Sequence, residues 1–139
     1  MKNHTTLKIM SVTAAVFAMT LHSSTVLAND PPEIKQTGAI SYVTGGIGDE
    51  ERDAMRAVQH DYNLHVLSAG ASGAYPGDTH IVISDNRGHE LLSTDADPLF
   101  YAQLKSGHYV VEESSAGQSK KQAIVIADNK PVSTTFRWR

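Results

Sequence analysis

The chain has 139 residues, 40% of them hydrophobic and 19% charged, with a formal net charge of −3 and no cysteine. An acidic balance argues against nucleic acid or an anionic membrane surface as partner. Without cysteine, stability must come from packing rather than disulfides, and a lipid-modified cysteine is excluded as an anchor.

Residues 1–28 read as an export signal. Lys2 and Lys8, with no acidic residue beside them, precede an apolar run over 9–21, and Val26-Leu27-Ala28 offers small or compact residues for cleavage after Ala28. The run falls short of the roughly 20 residues that span a bilayer. No stable membrane insertion is therefore expected after cleavage, and the protein is expected in the periplasm or secreted. An exported chain without disulfides suits a bacterial periplasm.

Residues 29–37, with Pro31-Pro32, read as a flexible linker. Residues 38–61 are expected to hold a short strand over 39–44, a break at Gly45-Gly46-Ile47-Gly48, and a helix over 49–60. Asp49, Glu50 and Glu51 fill its first turn, where negative charge meets the positive end of the helix dipole. Asp49 with Arg52, and Asp53 with Arg56, have the spacing of surface ion pairs. Ala54, Met55, Val58 and then Tyr62 form a narrow apolar stripe suited to lying on a sheet.

Residues 62–139 read as strands and turns. Tyr62, Leu64 and Val66 alternate with polar residues; after a Gly/Ala/Ser loop over 68–77, Thr79, Ile81 and Ile83 mark the next strand. Asp85-Asn86-Arg87-Gly88 is turn chemistry, with Gly88 expected in a left-handed conformation and the register across the turn open between even and bulged. Residues 89–94 return. The strongest pattern lies over 99–111, where Phe100, Ala102 and Leu104 alternate with Tyr101 and Gln103, and Tyr109 and Val111 with His108 and Val110. It predicts a hairpin closed by Lys105-Ser106-Gly107, with Gly107 supplying a positive φ. The Tyr109 ring is expected in the core with its hydroxyl on nearby backbone. A Ser115-Ala116-Gly117 turn follows, then a long strand burying either Ala123, Val125 and Ala127 or Ile124 and Ile126. After a turn at Asp128-Asn129-Lys130-Pro131, Val132, Thr134, Phe136 and Trp138 alternate to the end. The expected fold is mainly β: a seven-stranded antiparallel prealbumin-like or Ig-like β-sandwich with one N-terminal helix. Strands this short, with His, Ser, Gln and Lys on one face, do not suit a transmembrane barrel.

The run Ile81-x-Ile83-x-Asp85-x-x-Gly88, then Thr94-Asp95, Phe100 and Leu104-x-x-Gly107-x-Tyr109-x-Val111, resembles the carboxypeptidase regulatory-like domain, a prealbumin-like β-sandwich. Lys105-Ser106 stands where that family often has a Pro-Pro pair, and Pro98 where a Gly is common. The resemblance covers residues 62–139 and implies an accessory module rather than a zinc catalytic domain. Residues 29–60 are expected to lie outside its common core.

The constellations that carry chemistry are few. His60, His65, His80, His89 and His108 show no zinc-protease spacing, and whether His80 and His89 share a face depends on the open register. Asp95-x-Asp97 lacks the remaining oxygen ligands of a calcium loop. The glycine-rich break is followed by acids that would repel a phosphate. There is no Gly-x-Ser-x-Gly elbow, and nothing in the spacing joins a Ser to a His and an Asp. Tyr75, Phe100, Tyr101, Tyr109, Phe136 and Trp138 would make a sugar-stacking platform only if several faced outward, and burial of alternate ones is expected instead. The sequence therefore predicts an exported, non-catalytic binding or structural module without catalytic residues, metal or cofactor, its partner a protein or carbohydrate. A carbohydrate-binding module and a small metal-dependent hydrolase are the alternatives.

Overall fold

The computed structural model describes residues 30–128 and 130–139, so the proposed export signal lies outside the described residues. The chain is mainly β, with nine strands and one α-helix among the described residues. In order they are β1 (Lys35–Thr37), β2 (Ile40–Gly45), α1 (Asp49–Val58), a 3-10 turn (Gln59–Asp61), β3 (Leu64–Gly70), β4 (Thr79–Asp85), β5 (Glu90–Ala96), β6 (Leu99–Gln103), β7 (Gly107–Ser115), β8 (Gln118–Ile126) and β9 (Val132–Trp138). They form a five-stranded sheet, β1-β2-β6-β3-β9, and a four-stranded sheet, β5-β4-β7-β8.

Both sheets contribute to one apolar cluster. Tyr42, Leu64, Val66, Phe100, Phe136 and Trp138 come from the first sheet, and Ile81, Ile83, Leu92, Val111, Ile124 and Ile126 from the second. Of the two phases left open for β8, Ile124 and Ile126 are the buried one, and Val125 is 54% exposed. The other face of the five-stranded sheet carries the helix, where Met55 packs with Val43, Tyr62 and Tyr101. Side chains alternate across a strand, so Tyr42 and Val43, or Phe100 and Tyr101, serve opposite faces. This explains the unbroken apolar run of β6: it is covered on both sides.

The helix starts where predicted, and both expected ion pairs form, Arg52–Asp49 at 2.7 Å and Arg56–Asp53 at 2.8 Å. Its α-helical part ends at Val58, with the 3-10 turn carrying the chain to Asp61. Gly45 lets it sit close, since a Cβ there would stand 3.3 Å from Met55 Cγ.

Four expectations are corrected. The stretch 99–111 is not a hairpin. β6 pairs with β2 and β3, β7 pairs with β4 and β8, and residues 104–106 cross from one sheet to the other. Alternation marks a strand but not its partner, and both strands here had better partners elsewhere. Gly107 has no positive φ; Tyr109 packs against it instead. The sheets have nine strands rather than seven, because β1 forms inside the expected linker and β2 joins β6. Ile40 and Tyr42 of β2 lie in the apolar cluster to which both sheets contribute. The arrangement is not wholly antiparallel either, since β3 and β9 run parallel from Leu64↔Val132 to Gly70↔Trp138.

Candidate functional site

An open cleft of about 980 Å³ lies where the connections β6–β7 and β8–β9 meet the start of β3. Asn63, His65, Lys105, Ser106, Asp128 and Lys130 contribute to its wall. Its floor is held by side chains that replace ladder bonds at the crossover. Asn63 Nδ2 donates to the Leu104 carbonyl at 2.7 Å, and the Leu104 N–H donates to Asn63 Oδ1 at 2.9 Å. The Tyr109 hydroxyl donates to the Lys105 carbonyl at 2.7 Å, the backbone bond expected of it, although its ring is only half-buried. Ser106 Oγ donates to Asp128 at 2.5 Å.

His65 is fully engaged in this wall. Its Nε2 lies 2.9 and 3.0 Å from the Tyr62 and Gln59 carbonyls and so carries the proton. Its Nδ1 faces the Gln59 side-chain amide at 3.2 Å. A ring held on both nitrogens orients the wall but offers no lone pair to a metal.

Three further histidines stand apart from it. His60 reaches Asp61 at 3.3 Å, His89 reaches Asp85 at 3.0 Å in the turn, and His108 is exposed on β7. Among the described residues no group of three or more His, Cys, Asp or Glu is placed to hold a metal ion. Asp85 also accepts the backbone N–H groups of Arg87 and His89, and the His89 bond is the main cause holding its carboxyl below the usual range. Gly88 has the expected left-handed conformation, φ +83°. At the glycine-rich break, Glu51 accepts the N–H groups of Gly46 at 3.1 Å and Ile47 at 2.9 Å, so the chain's own carboxylate occupies the place a phosphate would take. Of the six aromatics proposed as a platform, Phe100, Tyr101, Phe136 and Trp138 are buried, and Tyr75 stands apart on the β3–β4 loop. No stacking surface results from them.

The β4–β5 register is the bulged one, with the shift between Ile83 and Ser84. It sets His80 opposite Asp95 and Val82 opposite Ser93. His80 Nδ1 lies 2.7 Å from Asp95 Oδ1, and His80 Nε2 lies 2.8 Å from Ser93 Oγ. Sequence reasoning missed this set. Its only trace is the alternate placing of Ser93 and Asp95 on one strand, and which face His80 shares depended on the bulge. A one-residue slip would set His80 opposite Thr94 instead.

One buried charge-bearing group also escaped notice. Glu113, on β7, is fully buried; it accepts Ser68 Oγ at 2.7 Å and Trp138 Nε1 at 2.6 Å, both from the other sheet. Burial pushes its carboxyl above the usual range, against the two hydrogen bonds. No protein-family model matches the chain, and no curated protein is similar enough to it to count as a relative.

Proposed function

We propose that this chain is an exported binding module built on a prealbumin-like β-sandwich of the carboxypeptidase regulatory-like kind. The observation that carries the binding role is the open polar cleft at one end of the sheets, with Lys105, Lys130 and Asp128 exposed in its wall above a floor pinned by Asn63 and Tyr109. Rigid support beneath exposed polar groups is what a recognition site needs, because little ordering entropy is then lost on binding. The core shared by both sheets supports the sandwich reading, and the N-terminal sequence supports export. A cleft with cationic and anionic groups side by side suits a small polar or zwitterionic ligand better than an apolar one.

A thermal-shift screen of sugars, amino acids, short peptides and divalent metals tests this. A ligand of the cleft raises the melting temperature by binding only the native state. That rise should vanish in Lys105→Ala and Lys130→Ala, which are exposed and should fold normally. A hit unaffected by both substitutions would place binding elsewhere and refute the reading.

A further inference from the structure

We propose that Ser93, His80 and Asp95, on the outer face of the four-stranded sheet, form a nucleophilic site that accepts the acyl group of carboxylic esters with good leaving groups. The proposal goes beyond the cleft and does not depend on it. Asp95 accepts at His80 Nδ1, 2.7 Å away, which keeps the ring proton on that nitrogen. Nε2 is then left with its lone pair, and the hydroxyl 2.8 Å from it must be the donor. A serine hydroxyl aimed at a base whose tautomer is set by a carboxylate is the arrangement that activates an oxygen nucleophile.

The three side chains stand on two paired strands rather than on a loop, so the ladder holds their spacing. Ser93 is exposed and open to a substrate. β5 is an edge strand, paired only with β4. N–H groups on its free side are not used in a ladder. Val82 stands opposite Ser93, and Leu91, the extra residue of the bulge, is exposed two positions before it. They give an acyl chain an apolar strip to lie on. The Asp95 side chain is 95% exposed and that of His80 40%. Once His80 has taken the serine proton, water screens its charge from that of Asp95 at a site so open, which restricts the chemistry to esters whose leaving group departs without much help.

In the first step Ser93 Oγ forms a bond to the ester carbonyl carbon and its proton passes to His80 Nε2. The C–O bond to the leaving group breaks with its electron pair, and the leaving oxygen takes the proton from His80. In the second step water attacks the acyl-Ser93 ester, again losing its proton to His80. The carboxylic acid is released and the Ser93 hydroxyl restored.

The test uses a fluorophosphonate probe, which bonds to an activated serine oxygen with loss of fluoride, and 4-nitrophenyl acetate as substrate. The expected result is a single adduct whose peptide map places it on Ser93, with a burst of nitrophenolate of one per chain. Ser93→Ala should abolish both. His80→Ala should slow labelling by about 100-fold or more, the usual contribution of a positioned base, and Asp95→Asn should slow it by at least about tenfold through the wrong tautomer. Ser119→Ala, bonded to Glu112 on the same face, should label as wild type. Circular dichroism should show all four variants folded, as their positions are at the surface. No adduct, an adduct on another residue, or wild-type labelling of His80→Ala would overturn the proposal.

Discussion

Replacing Glu113 separates the effect of its charge from that of its hydrogen bonds. The carboxyl is fully buried on β7 and receives donors from β3 and β9 of the other sheet. The nearest cation by register is Lys120, directly opposite on β8, but its ammonium reaches the Arg137 carbonyl and lies 5.2 Å from the Trp138 ring centroid. Glu113 is therefore bound by neutral donors alone, and desolvation dominates: its carboxyl is raised in the folded state. The folded chain keeps a proton that the unfolded chain releases. That stabilisation is complete below the unfolded value, about 4.3, and is lost as pH rises through the folded value. Glu113→Gln keeps the shape and an acceptor for Trp138 without a charge to bury. Its stability should match wild type within about 1 kcal/mol at pH 4. Above that, its advantage should grow by about 1.4 kcal/mol per pH unit until the folded carboxyl has ionised. Asp85 and Glu112, both held low, push wild-type stability the opposite way, so the difference between the two proteins is the quantity to follow. Glu113→Ala should behave differently at every pH. It strands Ser68 Oγ–H and Trp138 Nε1–H, at about 1–3 kcal/mol each, a large share of the 5–15 kcal/mol of an ordinary domain. Urea denaturation of the three proteins from pH 4 to 8 is the assay. A Glu113→Gln difference that does not change with pH, or a Glu113→Ala midpoint equal to wild type, would refute the reasoning.

Met55→Ala should cost about 2–5 kcal/mol, since Met55 is 1% exposed between the helix and the five-stranded sheet; a change within about half a kcal/mol in urea would mean that the helix is not held there. Asn63→Ala removes both bonds to Leu104 and should cost about 1–3 kcal/mol by the same measurement, and hydrogen exchange at Leu104 should quicken where the wild-type amide is protected. Tyr109→Phe should lose about 1 kcal/mol with its bond to Lys105. Tyr109→Ala should lose more, but less than the 3–5 kcal/mol of a fully buried ring, because this ring is half-buried; a denaturant midpoint equal to wild type would show that the ring contributes nothing.

What could be read from the chain directly was local. The acids of 49–51 mark the helix start because the dipole there attracts negative charge, and Glu51 also reaches back to accept the amides of Gly46 and Ile47 just ahead of the helix. The turns at Asp85–Gly88 and Ala116–Gly117 announce themselves by Gly88 and Gly117, which take a positive φ without cost. The alternation of Thr134, Phe136 and Trp138 identifies the buried face of the last strand. Pairing is a different kind of information. A period of two repeats in every strand, so it cannot say that β6 turns away from β7, that β9 lies parallel to β3, or that a stretch with two prolines leads into an edge strand. Those choices are made by which faces close a common core. Both candidate sites depend on them: the cleft lies where residues 104–106 cross between sheets, and Ser93, His80 and Asp95 meet because one extra residue at Leu91 shifts the β4–β5 ladder by one position. A single-residue slip exchanges the two faces of a strand, so that contact exists only once the tertiary structure has set the register.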